Sequence, residues 1–90
     1  MKEKKIVISD EAGLHARPAS KISKKASSYT SDIKMIYEGK EIDLKSILAV
    51  MSLAIPQGGE VIIRVEGGDE EESLEGVLAA FKEYNIDIES

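Results

Sequence analysis

One short run could handle an anion: Gly13-Leu14-His15-Ala16-Arg17-Pro18. Pro18 lacks an N–H, so it fits the first turn of a helix and not its interior. That puts His15 at or just before a helix start, with Gly13 permitting the chain reversal into it. A helix N-terminus presents unpaired N–H groups and about half a unit of positive charge, which suits an anion. The same charge disfavours an imidazolium and leaves a neutral ring with a nucleophilic nitrogen. Arg17 adds a planar donor fork matched to phosphate oxygens. Phosphoryl transfer needs mainly positioning and charge stabilisation, so this set could support it. Taken alone, these residues leave a plain cap and a reacting group equally open.

A second candidate is Ser46, an N-cap type residue ahead of Ile47. The helix expected over 47–53 is apolar nearly all round, and a small domain cannot bury every face of it. Val50 and Leu53 are the expected core positions. Ile47, Leu48 and Met51 are expected to remain exposed and to serve docking.

The elements that must position these residues follow from pattern. Lys5 to Ile8 reads as a strand and residues 16–27 as a helix with the thin stripe Ala19, Ile22, Ala26. Ile33, Met35 and Tyr37 alternate, Glu38-Gly39 turns the chain, and Ile42 and Leu44 return it, giving a hairpin over 32–44. After the Pro56-Gln57-Gly58-Gly59 stop, Val61 to Val65 is apolar on much of both faces, as a central strand should be. Asp69 with Glu72 gives an N-cap signature for a last helix bearing Leu74, Val77, Leu78, Phe81 and Tyr84. The order β-α-β-β-α-β-α fits a single α+β domain, residues 1–90, with helices on one face of a four-stranded sheet. Many unrelated modules share that plan, so topology alone decides nothing about function.

Composition narrows the classes. With no cysteine and one histidine, thiolate and multi-histidine metal sites are excluded. No stretch is long enough to span a membrane and the N-terminus is no signal peptide, so a cytoplasmic location is expected. The net charge of −5 divides into +3 over residues 1–50 and −8 over 51–90. An acidic chain with only three Tyr and one Phe lacks the footprint and stacking rings of a nucleic-acid binder. Arg17, Lys21, Lys24, Lys25 and Lys45 cluster near the two motifs; the three helix lysines read as a solvated face.

The segment Gly13 to Ala19 resembles the phosphorylation-site signature of the HPr family, the histidine phosphocarriers of the phosphoenolpyruvate-dependent sugar phosphotransferase system. Leu44-Lys45-Ser46-Ile47-Leu48-Ala49-Val50-Met51-Ser52-Leu53 resembles that family's second signature, and the Gly58-Gly59 loop and Glu66 to Glu70 match as well. The resemblance implies an open-faced β-sandwich, a four-stranded antiparallel sheet covered on one face by three helices. It implies phosphoryl transfer from enzyme I to Nδ1 of His15, with Arg17 binding the phosphate, and onward transfer to sugar-specific IIA domains. No metal or cofactor is implied, and the chain would be a carrier and not an enzyme. Docking would fall on Ile47, Leu48 and Met51 with Ser20 and Lys24. In the Gram-positive branch the serine matching Ser46 is phosphorylated by an ATP-dependent HPr serine kinase/phosphorylase. That creates a corepressor for a catabolite-control transcription factor and slows phosphorylation at the histidine. A phosphoserine adds roughly −1.5 to −2 charges, which a helix N-terminus tolerates.

Four positions depart from the pattern. Lys21 and Ser23 stand where relatives often carry apolar residues, Ala54 where glycine is common, and Pro56 is unusual in its loop. Two other readings compete: a purely regulatory relative acting through Ser46, against which the His15–Arg17 pair argues, and an unrelated binding module, for which the RNA-stacking aromatics are missing.

Overall fold

The computed structural model describes residues 1–83 and the backbone of Asp87 and Ile88. Four strands, β1 (Lys2–Val7), β2 (Asp32–Tyr37), β3 (Lys40–Asp43) and β4 (Glu60–Glu66), form an antiparallel sheet. A two-residue strand, β5 (Asp87–Ile88), is added along Ile6 and Val7, giving the order β3-β2-β4-β1-β5. β4 therefore sits at the centre, and its pattern follows: Val61, Ile63 and Val65 are buried under the helices, while Ile62 and Arg64 lie on the open face. On that face Arg64 ties the strands together, donating to Glu3 at 2.6 Å and Glu41 at 2.8 Å.

β1 begins earlier than its apolar residues suggest. Lys2 and Lys4 register opposite Val65 and Ile63 on the helix-covered face, so they continue the alternation that Ile6 begins. Ile8 falls just past the strand but is fully buried.

Three helices cover one face: α1 (Ala16–Ser27), α2 (Ile47–Ser52) and α3 (Glu70–Lys82). α1 packs beside both α2 and α3. Its buried stripe is Pro18, Ala19, Ile22, Ser23 and Ala26. α3 buries Val77 and Phe81, with Leu74 and Leu78 half-buried against the core. Tyr84, expected to extend this stripe, lies outside the described residues. α2 is held by Val50, its single buried residue, and Leu53 caps its end half-buried.

One expected contact is not made. Asp69 is the N-cap residue of α3, but its side chain does not cap the helix. It accepts instead from the backbone N–H groups of Thr30 at 3.0 Å and Ser31 at 2.9 Å, and from the Ser31 hydroxyl. Those donors lie between α1 and β2, and an acceptor shared among three of them outcompetes a single local cap bond.

Candidate functional site

The loop from Ile8 to His15 is held at both ends. Ile8 donates to the carbonyl of Gly59 at 2.9 Å and accepts from the Gly58 N–H at 2.6 Å. Within the loop, Asp10 Oδ1 accepts from the Ala12 N–H at 2.8 Å and its carbonyl from the Gly13 N–H at 2.9 Å, which folds a tight turn. Leu14 is buried and donates to the Ile55 carbonyl at 2.9 Å. Gly13 has a φ of +70°, and a Cβ there would collide with the Ile55 carbonyl and lie 2.9 Å from Pro56 Cα. The glycine is thus needed for its conformation and for its thinness.

This turn delivers His15 as the N-cap residue of α1, with extended φ −86° and ψ −177°. Its carbonyl accepts from the Ala19 N–H at 3.0 Å, but its ring makes no capping bond. The imidazole is 42% exposed. Arg17, in the first turn, is exposed and makes no ion pair among the described residues. Ser20 and Lys24 follow at helical spacing and are exposed. The ring and the guanidinium therefore both reach solvent at the electropositive end of one helix.

No motif in the sequence pairs His15 with an acid or base. The structure places one there: Asp10 Oδ2 lies 3.8 Å from His15 Nε2. The signal was an Asp opening a tight turn that ends two residues before the histidine. The turn brings the two side chains together although they stand five positions apart in sequence.

The second motif is laid out as expected around its cap. Ser46 Oγ accepts from the Ala49 N–H at 3.2 Å, and the Ser46 carbonyl accepts from Val50 at 3.1 Å. Outside it, Leu48 is 80% exposed, Ile47 38% and Met51 40%. Lys45 reaches the segment that follows α1. Its ammonium donates to the Tyr29 carbonyl at 2.9 Å. Lys25 lies over the Tyr29 ring at 5.6 Å, and Lys21 is exposed, in keeping with a solvated helix face. The four unusual positions differ in consequence. Ser23 is buried with its hydroxyl unpartnered, Ala54 sits in the left-handed region at φ 49°, and Lys21 and Pro56 are exposed.

No group of three or more acidic or histidine side chains among the described residues could hold a metal. No helix among them is long and apolar enough to cross a membrane.

Residues 2–83 match the family described as the PTS HPr component phosphorylation site. The chain is similar to the histidine-containing phosphocarrier protein of Mycoplasma: 36% identity over 91% of this chain and 93% of that one, TM-score 0.89. It is similar to a phosphocarrier protein HPr of Bacillus anthracis, with 39% identity, 88% and 94% of the two chains covered, and a TM-score of 0.81. It also resembles Crh, the catabolite repression protein of Bacillus subtilis, at 40% identity, 82% and 85% coverage and a TM-score of 0.72. An exposed histidine at a helix mouth, the four-stranded open-faced sandwich and a match over nearly the whole length lead to one conclusion: this chain belongs to the HPr family, the phosphocarrier proteins of the phosphotransferase system.

Proposed function

We propose that His15 accepts a phosphoryl group on Nδ1 from phosphorylated enzyme I and passes it to sugar-specific IIA domains in the cytoplasm. The observation that carries this reading is the His15 ring: it stands half-exposed at the start of α1 without capping it. The first-turn N–H groups are thus not occupied by that side chain, and they suit an incoming phosphate. Arg17 supplies a permanent positive charge from the same turn. The transfer is a displacement in which the ring's lone pair forms the new N–P bond. The donor's bond to phosphorus breaks, and its electron pair returns to the donor. The donor and acceptor proteins would settle on the apolar exposed face of α2, Ile47, Leu48 and Met51, together with Ser20 and Lys24 of α1.

Incubation with phosphoenolpyruvate and enzyme I should place an acid-labile, base-stable phosphate on the chain. His15→Ala should abolish it, and labelling that persists in that variant would sink the assignment.

Regulation at Ser46 has its own support in the likeness to Crh. Ser46 Oγ caps α2 beside the exposed face of Ile47 and Leu48. A phosphate there would sit at the positive end of the helix and leave folding intact, while its charge would alter docking. An HPr serine kinase/phosphorylase would add it, and a catabolite-control transcription factor would read it. Incubation with ATP and that kinase should modify the wild-type chain and not Ser46→Ala.

A further inference from the structure

The turn that presents His15 contains a carboxylate with two separate engagements. Asp10 Oδ1 accepts the Ala12 N–H at 2.8 Å, which anchors that oxygen in the turn. Oδ2 is left facing His15 Nε2 at 3.8 Å. A neutral imidazole has one N–H and one lone pair, and its surroundings choose which nitrogen holds the proton. A carboxylate attracts the N–H end and repels the lone-pair end. We propose that Asp10 is a positioning residue that biases His15 toward the Nε2–H tautomer, leaving the lone pair on Nδ1 for the phosphoryl group.

The inference rests on the carrier reading and deepens it. In the acceptance step the Nδ1 lone pair forms the bond to phosphorus as the donor's bond breaks toward the donor. No proton has to leave the ring, because Nε2 already holds it. The ring becomes a phosphoimidazolium whose positive charge is shared with Nε2–H, opposite Asp10 Oδ2. The carboxylate thus aids the step twice: it presents the lone pair, and it stabilises the charge that develops. Both effects are moderate at this distance in a half-exposed site, on the order of a threefold to tenfold change in rate.

The isosteric variant Asp10→Asn tests this with an inversion of sign. The Ala12 N–H requires an acceptor, so the amide oxygen keeps the Oδ1 place and the NH2 group takes the place of Oδ2. A donor then faces Nε2 and favours the Nδ1–H tautomer, which blocks the nucleophile. Asp10→Ser is the second variant. Its hydroxyl can still accept from the Ala12 N–H, but nothing of either sign faces the ring.

Two measurements are made on each full-length chain. Ring 15N chemical shifts at alkaline pH report the tautomer, and rapid-quench assays report acceptance from phosphorylated enzyme I. The expected order of Nε2–H population and of rate is wild type, Asp10→Ser, Asp10→Asn, with the last about threefold to tenfold slower than wild type. Wild-type tautomer and rate in Asp10→Asn would overturn the inference. Slower acceptance with unchanged ring shifts would overturn it too, since Asp10 would then act on docking. Failure of the carrier reading looks different: the wild-type chain itself would accept nothing.

Discussion

Asp69 and Ser31 are joined by a double hydrogen bond across 38 residues of sequence, the carboxylate accepting both the backbone N–H and the hydroxyl of the serine. The contact pins the start of α3 to the segment between α1 and β2. The Ser31 hydroxyl, followed by the Thr30 N–H, holds the Asp69 carboxyl down to about 2, against an ordinary value of 3.8.

That depression gives a pH signature. A carboxyl with a lowered native value stabilises the fold above its unfolded value and loses the contribution as pH falls through the native one. The contribution is therefore complete above about pH 4 and declines toward about 2. Asp69→Asn should lower the melting temperature at neutral pH and flatten its dependence on pH across that window. Thermal melts over a pH series are the check. An acid limb as steep in the variant as in wild type would place the protonation elsewhere.

Gly13→Ala should be severe. The left-handed backbone costs roughly 1–2 kcal/mol for a residue with a Cβ, and the added carbon meets the Ile55 carbonyl and Pro56. A total loss of about 2–3 kcal/mol is expected in urea titration. Because the same turn sets His15 and Asp10, phosphoryl acceptance should fall as well, even where the variant is fully folded.

Ser23→Ala should stabilise. The serine is buried on α1 with its hydroxyl unpartnered. Removing a stranded polar group returns about 1 kcal/mol. Its Cβ neighbours are otherwise undisturbed, so phosphoryl acceptance should stay at the wild-type rate. A destabilised Ser23→Ala would mean that the hydroxyl has a partner after all, such as an ordered water.

Leu48→Ala separates docking from folding. At 80% exposure the side chain contributes little to the core, so stability should change by less than about 0.5 kcal/mol. Affinity for enzyme I, measured by calorimetry, should weaken about fivefold to tenfold. Equal affinity would remove Leu48 from the contact surface.

Much of this was legible in the sequence because the punctuation is local. Gly13 and Pro18 bracket the start of α1, and the observed helix covers the residues they imply. The apolar face of α2 has too few places to hide in a small domain, so its exposure follows from size. What escaped detection is non-local or disguised. Asp69 reads as a local cap, and nothing nearby in sequence announces Ser31 as the stronger partner. Lys2 and Lys4 mask the strand period because their polar ends hide the face their stems occupy. Asp10 lay in view, but its pairing with His15 depends on a turn whose hydrogen bonds no apolar pattern encodes.

Only Val50 of the six residues in α2 is fully inside, and the helix owes its footing to that peg, the Ser46 cap and the half-buried Leu53 at its end. The outward positions are therefore cheap to alter: a lineage could retune whom the protein visits by changing Ile47, Leu48 or Met51 without endangering its architecture. Partner choice and foldability are written at separate addresses on a helix less than two turns long.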